Sequence, residues 1–212
     1  MHSDEVAATY GFSSGLVPGV TVYGYMTERL PVEWLESGGM KVRLMQPFYD
    51  GDDVEILIED STVTANKSDG TCCATGTITW PRDPLPSLSD YPLAPLPLER
   101  PAASHETLPP GRSLATIHTA LDLTNAGKLL ELSNRVLMAN VSMGPWIHAA
   151  SEVRHFSLAI PGEELSVRAR VHDRYERKGH EFVVLDVLVV AESRLVQQVR
   201  HTAIWRPRVT PN

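Results

Sequence analysis

Two stretches of the chain carry apolar residues at helical spacing. Residues 20–35 include Val22, Tyr23, Tyr25, Met26 and Leu30, and residues 125–141 include Leu129, Leu130, Leu132, Val136, Leu137 and Met138. Both patterns predict helices, with Gly19 and Thr124 at their starts. The second is apolar around much of its circumference, so it should be deeply buried. After each helical stretch the period changes. Residues 54–58 and 165–171 largely alternate, as half-buried strands do, while residues 182–190 are nearly all apolar and predict a central strand. Lys67-Ser68-Asp69-Gly70 and Arg177-Lys178-Gly179 supply turn chemistry between strands.

The order helix-then-strands occurs twice, and the repeat is visible in the residues themselves. Val42-Arg43 through Gly51-Asp52-Asp53-Val54 lies at a constant offset from Val153-Arg154 through Gly162-Glu163-Glu164-Leu165. A second echo closes each half: Thr77-Ile78-Thr79-Trp80-Pro81 against Thr202-Ala203-Ile204-Trp205-Arg206-Pro207. Its offset is larger, so the second half should have longer strands or loops. Two ordered matches point to duplication. Between the halves, residues 81–112 hold nine of the sixteen prolines. Proline gives no backbone donor and biases its predecessor to extended geometry, so this segment reads as a crossing linker. The expected organisation is a first unit at 1–80, a linker at 81–112 and a second unit at 113–212. The fold class is α+β, with two long buried helices each wrapped by an antiparallel sheet.

Composition narrows the partners. The net charge is −7 with no basic run, which argues against a nucleic-acid face and against an anionic membrane surface. No apolar run approaches the ~20 residues of a membrane span, and the N-terminus lacks the order of a signal peptide. A cytoplasmic location is expected. Cys72 and Cys73 are adjacent and should point to opposite faces of a strand, one of them inward, without a disulfide. No Cys/His grouping has zinc spacing, so no metal site is expected. Nucleophile elbow, phosphate loop and dinucleotide fingerprint are all missing, so no cofactor is expected either.

Residues 2–60 carry a motif as well as a pattern. His2-Ser3-Asp4-Glu5-Val6-Ala7 is followed by Gly11-Phe12 and by Gly15-Leu16-Val17-Pro18-Gly19, then by the Val42-Arg43 strand with Pro47 and Gly51-Asp52. This resembles the hot-dog superfamily, and within it the MaoC-like hydratases and dehydratases. The second half resembles the superfamily in layout. The resemblance implies a double hot-dog that takes an acyl-CoA or acyl-carrier thioester. It implies His2 and Asp4 as catalytic candidates, acting on water and an enoyl thioester. The resemblance implies an Asp or Asn several residues upstream of the His as its catalytic partner, a residue that His2 is expected to lack, and Pro18 stands where the family has a helix-start His. One imidazole alone remains a competent acid or base near neutral pH. The resemblance also makes Gly19 a substrate-binding candidate. A helix start offers unpaired amides to the thioester carbonyl, and a glycine there allows close approach.

The second half contributes a polar cluster at residues 145–155. His148 is a catalytic candidate, and Ser151 and Arg154 are substrate-binding candidates. Strict alternation would put His148 and Arg154 on one side and Ser151 on the other, against a direct Ser–His pair. Each has a plainer reading: a buried His bonded to backbone, and an Arg paired with a carboxylate such as Glu152 rather than with a CoA phosphate. Asn134 and Asn140 read either as pocket caps or as exposed helix residues, and His180 and His201 carry no assignable role. Duplication supplies the partner that a single hot-dog unit needs, so the chain should be a pseudo-dimer, with homodimers open through a sheet edge. Three functions compete: hydratase or dehydratase, hot-dog thioesterase, and a non-catalytic binding or structural protein.

Overall fold

The computed structural model describes residues 1–123 and 125–209. In the first half, α1 (Asp4–Thr9), α2 (Gly19–Thr27) and α3 (Trp34–Ser37) precede β1 (Gly39–Leu44), β2 (Val54–Glu59), β3 (Thr62–Lys67) and β4 (Cys72–Thr79). Then follow β5 (Ser113–Thr119), α4 (Ala126–Asn140), β6 (Ile147–His155), β7 (Leu165–Arg177), β8 (His180–Ala191) and β9 (Arg194–Arg206). The nine strands form one sheet in the order β2-β3-β4-β1-β6-β9-β8-β7-β5. Read outwards from the central β1–β6 pair, both sides repeat one order, β4-β3-β2 and β9-β8-β7. β1 and β6 are antiparallel, with Met40 opposite Val153, Lys41 opposite Glu152 and Val42 opposite Ser151. Order and pairing together define a local two-fold axis near Lys41–Glu152.

The repeated residues fall on matching strands. Val42 lies on β1 and Val153 on β6; Val54 starts β2 and Leu165 starts β7; Thr77 lies on β4 and Thr202 on β9. Strands β7, β8 and β9 have 13, 12 and 13 residues against six, six and eight for β2, β3 and β4, which accounts for the larger second offset. The almost wholly apolar β8 lies between β7 and β9, buried from both neighbours.

Helices α2 and α4 pack against each other and against the sheet. Val20, Tyr23 and Met26 of α2 join Leu129, Leu130, Val136 and Leu137 of α4 in one core with Met40, Val63, Val167, Leu185 and Val199 from the strands. The first helix is shorter than its pattern suggests. It ends at Thr27, whose hydroxyl turns back to the carbonyls of Tyr23 (2.8 Å) and Gly24 (3.1 Å), and Pro31 has no amide with which to continue it. Two long helices are therefore corrected to one of nine residues and one of fifteen. One continuous sheet serves both, rather than a sheet for each. Of the expected starts, Gly19 opens α2, whereas Thr124 lies outside the described residues and Asn125 caps α4.

The proline-rich segment between β4 and β5 contributes no strand. It runs over the sheet's outer face, where Tyr91 is buried against Leu188 and Val190, and Ala94 accepts a hydrogen bond from the Thr116 amide of β5 at 2.8 Å. Cys72 and Cys73 are free, and Cys73 is the buried one. Among the described residues no helix is long and apolar enough to cross a membrane.

Candidate functional site

The start of α2 is open. Pro18 is its N-cap and offers no side-chain hydrogen bond. The Thr21 and Val22 amides reach the Pro18 carbonyl at 2.9 and 3.2 Å, while those of Gly19 and Val20 have no carbonyl behind them in the helix. The start of α4 is closed, because Asn125 Oδ1 accepts from the Lys128 amide at 2.9 Å. Gly19 also creates room for a neighbour. A Cβ on it would lie 2.3 Å from Leu44 Cδ1 and 2.8 Å from His148 Nδ1. The imidazole of His148 thus rests against the bare backbone at the open helix end.

His148 is held there by a chain of three side chains. Its Nε2 lies 2.9 Å from Ser151 Oγ, and the same oxygen lies 3.0 Å from His201 Nδ1. The two imidazoles sit 4.4 Å apart between ring centroids, tilted by 31°. Strict alternation is broken by a shift of register between His148 and Ala150 in the β6–β9 pairing. That extra residue re-aims His148 and brings it to Ser151, so the expected separation of the two is corrected. His148 is 6% exposed and His201 is fully enclosed. Burial pushes His148 down to about 4, and burial followed by the charge of His148 holds His201 well below the ordinary histidine value. Both rings are therefore neutral at pH 7. Among the described residues His148 Nδ1 and His201 Nε2, both enclosed, have no hydrogen-bond partner.

Gly19 and His148 border a cavity of about 260 Å³. Phe12, Leu16, Val22, Leu44, Phe48 and Ile204 give it apolar walls, and His2, Asn134, Cys73 and His180 also face it. His2 is tied down. Its Nδ1 lies 2.6 Å from the Leu16 carbonyl, and the Leu16 amide donates to the Met1 carbonyl at 3.0 Å. A carbonyl only accepts, so the hydrogen of neutral His2 sits on Nδ1 and its Nε2 keeps the lone pair. Asn134 on α4 is 8% exposed with Oδ1 unpartnered.

The other expected site residues have different work. Asp4 is not a wall of the cavity; its Oδ1 accepts the Gly15 amide at 2.8 Å and braces the loop ahead of α2. Ser151 stands behind His148 instead of lining the cavity. Arg154 does not line the cavity and pairs with no carboxylate among the described residues. It donates to the carbonyls of Pro84 (2.9 Å) and Asp83 (2.5 Å) and stacks over Phe156, so it anchors the crossing segment. Glu152 pairs with Lys41. His180 faces the cavity while its Nδ1 accepts the Arg208 amide at 3.0 Å. Asn140 is buried, bonded to both the amide and the carbonyl of Ala115.

No family model and no curated protein matches the sequence, but solved structures do. A Chloroflexus aurantiacus protein, provisionally described as a MaoC domain protein dehydratase, aligns over 97% of this chain and 86% of its own, with TM-score 0.62 at 9% identity. A conserved Mycobacterium tuberculosis protein with a double hot-dog fold aligns over 95% and 86%, with TM-score 0.58 at 15% identity. The fold is the hot-dog fold. A Lactobacillus plantarum protein, provisionally described as an oleoyl thioesterase, also aligns, over 89% of this chain and 86% of its own, with TM-score 0.51 at 12% identity.

The two ends of this hot-dog assembly are chemically unequal. The constant offset that relates Val42 to Val153 relates Ser37 to His148 and Met40 to Ser151, and the Trp80–Trp205 echo relates Gly76 to His201. In the first half, a Cβ on Gly76 would meet Met40 Sδ at 2.7 Å and Met26 Cε at 3.1 Å. Thioethers thus fill the space that Ser151 and His201 occupy in the second half. Among the described residues the polar site occurs once, at the open end of α2. His201 carried a sign in the sequence: alternation puts it on the same strand face as Val199, Ala203 and Trp205, which are buried. Its partner is fifty residues away along the chain, and no local pattern joins them.

Proposed function

We propose that this protein binds an acyl thioester, carried by CoA or an acyl-carrier group, and acts as an enoyl-thioester hydratase or dehydratase. One observation carries this reading: the unpartnered Nδ1 of a nine-tenths-buried His148 meets the uncapped start of α2 inside an apolar-walled cavity. Such a place suits a carbonyl oxygen that gains negative charge, because fixed donors in a water-poor site stabilise it. Residues 1–80 and 113–212 are taken as two hot-dog units joined by 81–112 and paired within one chain.

In dehydration, the carbonyl oxygen accepts from the Gly19 and Val20 amides. His2 Nε2 takes the proton from the α-carbon, and the electron pair of that bond passes to the carbonyl as an enolate. The enolate pair then forms the double bond as the β-carbon–oxygen bond breaks. His2 returns its proton to the departing hydroxyl, and water leaves. Hydration is the reverse. Asp4 and Ser151 support the loop and His148 without touching substrate.

The test is hydration of crotonyl-CoA, followed together with free-CoA release. The wild type should hydrate, and His2→Leu and His148→Leu should each lose about 10²-fold or more in kcat. CoA release without hydration would reassign the site to a thioesterase. Binding without either reaction would make it a non-catalytic acyl-thioester protein.

A further inference from the structure

The cavity that holds His148 reaches the end of the β7–β8 hairpin, where Ile204 and His180 both border it. Cross-strand pairing fixes what else shares that side of the sheet. Ile204 is opposite Phe182, Phe182 is opposite Tyr175, and His180 is opposite Arg177. Opposed residues project to one face, as do residues two apart in a strand. Ile204, Phe182, Tyr175, His180 and Arg177 therefore stand together at the rim. The intervening Glu181 falls on the other face, where it accepts from Arg206 and lies 2.9 Å from His105 Nε2. The rim thus keeps its cations and loses its nearest acid. Among the described residues Arg177, Lys178 and Arg208 make no ion pair. Arg208 is drawn over the turn: its amide donates to His180 Nδ1 at 3.0 Å, and its Cδ lies 3.3 Å from where a Cβ on Gly179 would be. Burial, and then the Arg208 charge, hold His180 below the ordinary histidine value. Its Nδ1 accepts, so the hydrogen of the neutral ring sits on Nε2. Three unpaired cations at one rim of a chain with net charge −7 make a local attraction for an anion.

The same face carries a flat aromatic surface. Tyr175 and Phe182 stack with ring centroids 4.7 Å apart and planes 10° from parallel, and His180 packs edge-on to Phe182 at 6.4 Å. Phe182 covers one face of the Tyr175 ring, yet Tyr175 is still 40% exposed. A solvent-facing aromatic ring beside unpaired cations suits a nucleotide, because the base stacks while guanidinium groups meet the phosphates. We propose that this hairpin end is the nucleotide subsite of an acyl-CoA ligand, with Tyr175 stacking the adenine and Arg177, Lys178 and Arg208 holding the phosphates. This deepens the acyl-thioester reading, rests on it for the occupant of the cavity, and selects CoA over a carrier-protein arm. A carrier-borne phosphopantetheine has one phosphate and no base, so it would leave Tyr175 without a role. The pantetheine arm passes over Ile204 and His180, whose Nε2–H is free to donate to one of its amide carbonyls.

The experiment is calorimetry on the intact protein at low salt with butyryl-CoA, butyryl-4′-phosphopantetheine and butyryl-pantetheine. Butyryl-CoA should bind about tenfold or more tighter than butyryl-pantetheine, with the phosphopantetheine thioester between them. Tyr175→Leu should weaken butyryl-CoA about fivefold or more and leave butyryl-pantetheine unchanged. Arg177→Ala and Arg208→Ala should each weaken butyryl-CoA about threefold to tenfold, and less at high salt. All three positions are exposed, and thermal midpoints confirm that the variants fold. Butyryl-4′-phosphopantetheine binding as tightly as butyryl-CoA, or losses shared equally by butyryl-pantetheine, would overturn the nucleotide subsite. Adenosine 3′,5′-bisphosphate, which has neither thioester nor arm, separates this proposal from the reading it rests on. It should bind by itself, and more weakly in Tyr175→Leu. If it does so while butyryl-pantetheine does not bind, the subsite stands and the thioester reading falls. Binding of butyryl-pantetheine with none of the bisphosphate reverses that outcome.

Discussion

Gly127 of α4 lies so close to α2 that a Cβ on it would sit 2.9 Å from the Val20 carbonyl oxygen and 3.1 Å from Gly24 Cα. The crossing is asymmetric, since a Cβ on Gly24 would meet Gly127 Cα at an ordinary 3.7 Å. Gly127→Ala must push backbone against backbone, and we expect it to destabilise the protein by about 1–3 kcal/mol. Gly24→Ala should be neutral or stabilising, by up to about 1 kcal/mol from helix propensity. Urea unfolding of the two variants checks this, and equal effects would show that the helices are not packed as described.

The buried histidines make the fold acid-labile. Burial lowers His148 to about 4 and His155 to about 3. The unfolded chain binds a proton at each near pH 6.5, while the native chain does so only well below, so stability rises with pH across that window and is lost as pH falls from about 6.5 toward 4. His148 alone is worth about 3 kcal/mol over its full range. Unfolding midpoints at pH 7, 5.5 and 4.5 should fall in that order, and His155→Leu should flatten the decline. A midpoint independent of pH would contradict the burial of these rings.

The cavity sets a limit on acyl length. At about 30 Å³ for a group the size of a water molecule, its 260 Å³ holds about eight or nine such groups. The helices close the seam at Gly24–Gly127, so the acyl chain has no route between them at that point. Affinity should rise by about 0.8 kcal/mol per methylene and then level off near that length. Phe48→Ala, which removes a buried wall, should move the plateau to longer chains. Calorimetry with a saturated acyl-CoA series measures both; a rise that continues unbroken in the wild type would place the acyl chain elsewhere.

Arg154 tests the division between site and scaffold. Its guanidinium holds the Asp83 and Pro84 carbonyls. Arg154→Ala should leave CoA affinity unchanged within about twofold and speed proteolysis within residues 81–112. A large loss of affinity without new cleavage would return Arg154 to the ligand.

Much of this architecture was legible in the sequence, because duplication writes the same strand twice. Val42 and Val153, or Thr77 and Thr202, needed only to be compared to reveal matching strands. The first helix was misread because Leu30 and Leu35 continue the apolar spacing past Thr27, although Pro31 breaks it. The site was half legible. Gly19 and His148 stand out as single residues, but their contact is three-dimensional, and the shift of register in β6 that brings His148 to Ser151 leaves no local mark. The pairing of His201 with Ser151 stayed hidden for the same reason, as did the glycine crossing of α2 and α4.

The central claim, that a thioester carbonyl is held by donors at the start of α2 beside His148, is tested most directly by isotope-edited infrared spectroscopy of bound butyryl-CoA labelled with ¹³C at its carbonyl. The account predicts a carbonyl stretch shifted to lower frequency than in water, with the shift reduced in His148→Leu. A bound carbonyl with its frequency in water, or a shift indifferent to His148→Leu, would contradict it.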